Sequence, residues 1–157
     1  MSIKHTFKAT VNWTINEGES TQNPRIFSRN HEVFIDNKAT PLHVSAAKTF
    51  RGDDALYNPE DLLLSALTSC HMMSYLYVCA QNNVEVVSYT DHAEGDLEVA
   101  ASGSGSFKTV RLKPVVTIKN ASQKELALRL HEKANSLCFI ANSCNFPIAH
   151  EATIVVQ

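Results

Sequence analysis

The sequence predicts an α+β fold in which antiparallel sheets wrap around two long central helices. Three observations lead there. Strand-like segments come in runs and do not alternate strictly with helices, which argues against a doubly wound parallel sheet. Helical signals occur in two stretches, residues 58–81 and 122–143. The 157 residues are 44% hydrophobic and 19% charged with 5 Gly and 5 Pro, the composition of a packed domain and not of a low-complexity or disordered chain.

Each element has a local reason. Ile3 to Thr14 alternates, with Ile3, Phe7, Ala9, Val11 and Trp13 on one parity, as in a half-buried strand. A polar loop over 16–23 closes at Pro24, and Ile26 to Ile35 reads as a second strand. Asp36-Asn37-Lys38 is a turn into a third strand, Ala39 to Ala46, so an antiparallel meander is expected. After an irregular segment, Asn58 is a good N-cap, Pro59 suits the first helical position, and Glu60 and Asp61 complement the helix dipole. Asn82-Asn83 stops this helix. Val84 to Val99 and Phe107 to Lys119 read as two longer strands joined by a turn at Gly103 and Gly105. Ser122 with Glu125 reads as a capping box for a second helix to about Ser143, and Ile148 to Val156 as a final strand. With neither repeat nor linker, residues 1–157 are expected to form one domain.

Bulk properties exclude several classes. The 14 basic and 16 acidic side chains give a net charge near −2, with no general attraction for nucleic acid or an anionic membrane. Cys70, Cys79, Cys138 and Cys144 are too few and too dispersed for a secreted disulfide scaffold. The alternating opening segment does not read as a leader, so a cytoplasmic location is expected. The uncharged run Leu62 to Ala80 approaches a membrane span in length. Polar Ser65, Thr68, Ser69, His71 and Ser74 interrupt it, and we read it as a helix buried at the centre of a soluble protein.

The thiols are the residues best suited to chemistry. Cys70 lies mid-helix, where the dipole gives no help and an apolar setting raises a thiol's pKa, so reactivity would need a cation from elsewhere. Arg51, just before the helix, is the first choice, and Arg29, on the second strand, the other. Cys138 lies near the end of the second helix and could meet Cys70 only if the two helices pack side by side. Cys79, nine residues after Cys70, falls on the opposite helix face and reads as core. Cys144 reads as structural or incidental. The seven histidines, His5, His31, His43, His71, His92, His131 and His150, show no metal-ligand spacing and read mostly as surface or interface residues. A Cys70/His71 dyad is disfavoured because adjacent helical side chains do not face each other.

The stretch Asn58-Pro59-Glu60-Asp61-Leu62-Leu63, with Ser69-Cys70-His71-Met72-Met73 after it, resembles the OsmC/Ohr family of osmotically induced and organic hydroperoxide resistance proteins. Cys138-Phe139-Ile140-Ala141-Asn142-Ser143 is similar to that family's second-cysteine segment, and the order of elements matches over nearly the whole chain. The resemblance implies an intertwined homodimer with interface sites and thiol-dependent reduction of organic hydroperoxides. It carries over Cys70 as the peroxidatic thiol, Cys138 as the resolving thiol, and Glu60 as the carboxylate that steers an active-site arginine, here Arg51 or Arg29. It implies no bound cofactor or metal, but an external dithiol reductant of the lipoyl type. Phe139 stands where family peroxidases often have proline. Glu60 and Cys70 lie roughly 15 Å apart along one helix, so Glu60 is expected to reach Cys70 of the other protomer. Leu67, Met73, Phe139 and Ile140 would give the site an apolar lining. Two rivals are a non-catalytic ligand-binding or structural stress protein, and a Cys-His acyl-transfer enzyme.

Overall fold

A computed structural model describes residues 3–157, which separate into two compact units, residues 3–63 and 64–157. The fold is α+β.

In the N-terminal unit, β1 (Ala9–Asn12), β2 (His31–Ile35) and β3 (Leu42–Val44) form an antiparallel meander in that order. Asn37 takes the left-handed conformation in the turn after β2 (φ 65°), and Lys38 N–H closes it onto the Ile35 carbonyl at 3.1 Å. The strands are shorter than the alternation suggests. Arg29 precedes β2 and does not lie on it. The segment before β2 is held instead by side chains: Glu19 accepts from Ser28 N–H at 3.0 Å, and the Trp13 indole donates to the Ser28 carbonyl at 2.9 Å. All four β1 residues are exposed. Gly52 packs against the Ala46 backbone so closely that a methyl group there would overlap the Ala46 carbonyl. Gly52→Ala should therefore lower stability by about 3 kcal/mol, seen as a shifted urea midpoint; a change under about 0.5 kcal/mol would show that the loop has room.

Helix α1 (Pro59–Gln81) starts and stops as expected. The Asn58 side chain accepts from Asp61 N–H at 2.9 Å, and Asp61 accepts back from Asn58 N–H at 3.3 Å. At the other end Asn83 is left-handed (φ 55°) and Val84 N–H reaches the Cys79 carbonyl at 2.9 Å, the hydrogen bond of a Schellman stop. By length and composition α1 could cross a membrane, and 28% of its apolar window is buried within the chain. Met73, Leu76 and Tyr77 stay uncovered, so the expectation of a helix buried on all sides does not hold within one chain.

In the C-terminal unit each long strand is broken in two. β4 (Val86–Asp91) and β5 (Glu94–Val99), β6 (Gly105–Leu112) and β7 (Pro114–Ile118), and β8 (Ile148–His150) and β9 (Thr153–Val156) split between sheets ordered β5-β6-β8 and β4-β7-β9. Asp91 stitches the bend by accepting from Lys113 N–H at 2.8 Å, and Glu151 N–H reaches the Leu112 carbonyl at 2.8 Å. These sheets are mixed and not purely antiparallel: β6/β8 and β7/β9 pair in parallel, because helix α2 (Lys124–Leu137) carries the chain back across. The later half of α1 packs with α2 and β4-β7-β9 around Tyr75, Val116, Ile118 and Ala134. Nearer the start of α1, Leu67 packs with Val110, Leu112 and Cys138.

Two sequence readings of α2 need correction. The N-terminal cap is not a Ser122/Glu125 box: Asn120 accepts from Ser122 N–H at 3.0 Å, starting a 3-10 turn that leads into the helix. The helix ends at Leu137, so Cys138 is its C-cap and lies outside it, with a second 3-10 turn over Ala141–Ser143.

Candidate functional site

Cys70 is half-buried at the middle of α1. Met73, Ser74 and Tyr77 follow it at helical spacing on the same face. With Leu137 and Phe139 they line an open groove of about 380 Å³. Met73 and Phe139 are lining residues as expected. Leu67 is fully buried, and Ile140 packs on the same core, so neither lines the groove.

Cys138 lies fully buried in the cluster of Leu67, Val110 and Leu112 against which Cys70 packs, and both are free thiols. The local fold accounts for its place. Ending α2 at Leu137 turns Cys138 to an extended conformation (φ −74°, ψ 108°), and its N–H returns to the Asn135 carbonyl. The chain then reverses so that Ala141 N–H points at the Cys138 sulfur, 3.4 Å away. Burial, and next the Cys70 thiol, push the Cys138 pKa up to about 11, against the opposing Ala141 N–H. At neutral pH Cys138 is therefore a protonated thiol, able to donate to whatever occupies Cys70.

Within the N-terminal unit, Glu60 and Arg29 line one cavity of about 470 Å³, walled by Val11, Trp13, Phe27 and Phe50. One Glu60 carboxylate oxygen, Oε2, is buried without a hydrogen-bond partner. The guanidinium donates to the Pro24 carbonyl at 2.7 Å and the Phe27 carbonyl at 3.2 Å, and lies 4.9 Å above the Phe27 ring. Those bonds use two of five donors, leaving the rest for a carboxylate or a ligand. Arg51 is elsewhere: it closes the 3-10 turn Lys48–Phe50 in the left-handed conformation (φ 66°), is exposed, and lines neither cavity. Thus Cys70 packs against the cluster that holds Cys138, Glu60 shares a cavity with Arg29, and Arg51 stands apart.

Three histidines, His71, His131 and His150, depart from the expectation of surface or interface positions, while His5, His43 and His92 are exposed. His71 and His131 are 0% and 3% exposed, and His150 is half-buried beside them. His71 Nε2 lies 3.0 Å from His131 Nδ1, the His150 ring lies tilted with its centroid 4.5 Å from that of His71, and Tyr75 stacks 3.9 Å from His131. Burial is the first cause of depressed pKa values, to about 3 for His71 and about 4 for His131; neighbouring imidazoles add to it. The i, i+4 spacing of His71 and Tyr75 could have pointed to this inward face. Among the described residues no group of three or more His, Cys, Asp or Glu could hold a metal ion.

Comparison with known proteins follows this geometry. A family model described as OsmC-like protein matches residues 52–152. Protein YmaD of Bacillus subtilis is 26% identical over 155 residues, covering 96% of this chain and 95% of the relative. An OsmC-like protein of unknown function from Vibrio cholerae superposes with a TM-score of 0.86 at 29% identity, over 96% of this chain and all of that one. The same fold, at 21% identity and a TM-score of 0.68 over the full length of both chains, occurs in an organic hydroperoxide resistance protein from Elizabethkingia anophelis. It recurs in OhrB, the organic hydroperoxide resistance protein of Bacillus subtilis, at 17% identity and a TM-score of 0.64, over 95% of this chain and 98% of that one. The family match takes in more than half of the chain, which therefore belongs to the OsmC/Ohr family.

Proposed function

We propose that the protein is a thiol-dependent peroxidase that reduces organic hydroperoxides to alcohols. The observation that carries the reading is a groove-lining thiol, Cys70, backed by a buried, protonated second thiol, Cys138. Structural relatives named as organic hydroperoxide resistance proteins support it. The Cys70 thiolate attacks the peroxide oxygen distal to carbon and breaks the O–O bond. Oxygen stays on sulfur as sulfenic acid, and the alkoxide leaves with a proton as alcohol. Cys138 then attacks the Cys70 sulfur; its proton joins the departing hydroxyl as water and a disulfide forms. An external dithiol of the lipoyl type returns two electrons and reopens it. The apolar groove walls favour a hydrocarbon body over hydrogen peroxide.

The cation that favours thiolate is assigned to Arg29 in preference to Arg51, because Arg29 shares a cavity with the unpartnered carboxylate of Glu60. Glu60 would hold the guanidinium by a charge-assisted pair. The two charged residues line one cavity and Cys70 another, so the complete site is proposed to form in a homodimer, with Glu60 and Arg29 facing Cys70 of the partner subunit. The bare Met73, Leu76 and Tyr77 face of α1 is in keeping with a covering subunit. The reaction needs no bound cofactor, and its thiols suit the reducing cytoplasm.

The test is consumption of cumene hydroperoxide with dihydrolipoamide as reductant. Turnover well above the protein-free rate is expected, and a rate equal to that blank would overturn the reading. Arg29→Ala should lower kcat/KM by about 10²-fold and Arg51→Ala by less than twofold; the reverse order would return the role to Arg51.

A further inference from the structure

The thiol pair is the end of a ladder of side-chain links between α1 and α2. Tyr75 donates its hydroxyl proton to the Ala127 carbonyl at 3.0 Å, and its ring stacks on His131. One turn back along α1 and one turn on along α2, His71 Nε2 meets His131 Nδ1 at 3.0 Å. Cys70, the residue before His71, then packs against the buried cluster that holds Cys138, seven residues after His131. The helices run antiparallel, and the imidazole pair is the rung adjoining the thiols.

That rung is a poor choice for stability alone. Burial keeps both rings neutral, so one N–H···N bond joins them. Whichever ring donates, the acceptor ring keeps an N–H and the donor ring a lone pair on its far nitrogen. Those atoms, His71 Nδ1 and His131 Nε2, are buried without partners. Unsatisfied buried polar groups destabilise, and apolar side chains of similar shape would avoid the penalty. What an apolar pair cannot supply is direction: sliding one helix past the other by a fraction of a turn leaves oily contacts nearly unchanged but breaks a 3.0 Å bond. Buried polar pairs are best attested in this role of fixing register.

We propose that the His71–His131 hydrogen bond is a positioning element, fixing the axial register of α1 against α2 so that Cys138 stands ready to close on Cys70. This rests on the thiol cycle proposed above: His71 and His131 do not line the Cys70 groove, hydrogen-bond to each other, and act through the helices that carry the thiols.

The experiment reads the thiol pair directly. The reduced protein is oxidised with diamide, and the Cys70–Cys138 disulfide is equilibrated against reduced and oxidised dithiothreitol. His131→Phe keeps a ring to stack on Tyr75 but removes the bond. It should fold with unchanged circular dichroism while its disulfide equilibrium constant falls at least tenfold, about 30 mV for a two-electron couple. His71→Gln/His131→Asn, whose amides stand near Nε2 and Nδ1, should recover most of that loss. It also serves if the phenylalanine variant does not fold, because the single variant His131→Ala should then show the same deficit against it. A folded His131→Phe, or in its place His131→Ala, with the parent's equilibrium constant overturns the proposal, as does a double variant no better than the single one. A parent that forms the disulfide with diamide but not with cumene hydroperoxide overturns the peroxidase reading, while the variant-to-parent ratio still decides on the rung. A parent forming no disulfide with either oxidant overturns both.

Discussion

Cys70→Ser should abolish peroxide turnover, lowering kcat/KM by about 10³-fold or more, because a hydroxyl in that groove cannot ionise to a nucleophile near neutral pH. Cys138→Ser should fail differently. Its Cys70 still attacks the O–O bond, so one equivalent of alcohol appears in a burst. Turnover then slows by about 10²-fold, since the sulfenic acid must wait for a reductant from solution in place of a thiol already alongside. Dimedone, which traps sulfenic acids, should label the Cys138 variant after one equivalent of peroxide and leave the parent and Cys70→Ser unlabelled. Excess peroxide should drive the Cys138 variant on to sulfinic acid. Equal steady-state rates for Cys138→Ser and the parent would remove the disulfide from the cycle.

Acid should destabilise this protein steeply, and the histidine cluster is the reason. His71 and His131 fold with pKa values near 3 and 4, and His150 is also depressed, from an ordinary value of 6.5. Above pH 6.5 neither folded nor unfolded chain holds these protons, and the cluster contributes no pH dependence. As pH falls below 6.5 the unfolded chain takes up protons that the folded chain refuses. Stability therefore declines through that window until the folded rings titrate near pH 3–4. The loss between pH 7 and pH 4.5 should be on the order of 3–5 kcal/mol. Asp91, whose pKa burial raises, opposes it weakly near the end of the window. Tyr75, Tyr89 and Cys79 nearby stay protonated throughout, since burial pushes each upward. Urea unfolding at the two pH values measures the loss. In His71→Gln/His131→Asn, where neither amide titrates, it should shrink by more than half; the same loss in that variant would trace the acid sensitivity to carboxylates.

Much of the fold could be read from the sequence wherever the cause is local. The ends of α1 follow from Asn58, Pro59 and Asn83, and the turn at Asn37 from its tolerance of positive φ. The breaks inside the long strands could not be read this way. Nothing in Val84 to Val99 marks residues 92–93 as the point where one ribbon passes to another sheet, because the bend is enforced by Asp91 reaching Lys113 across the sheet. The end of α2 is hidden from the sequence for a similar reason. Leu137 to Ala141 keeps an apolar pattern that suits a helix, while the chain turns there to bury Cys138 against Leu112 and Val110. The site was legible in its thiols and in Glu60, through motif resemblance and helix geometry. Arg29 and the histidines were less so: Arg29 is held by the Pro24 and Phe27 carbonyls of an irregular segment, and His131 and His150 reach His71 from elements far along the chain.

The stop of α2 one residue before Cys138 has a mechanical consequence. Joining two sulfurs at about 2.05 Å requires them to draw together from non-bonded contact, and a thiol inside a regular helix could follow only by fraying its ladder of backbone bonds. Cys138 hangs instead on a short extended link between α2 and the 3-10 turn at Ala141. In the proposed cycle that link would move while both neighbours stay wound, so closing and reopening the disulfide would be confined to a few residues and leave the rest of the scaffold in place.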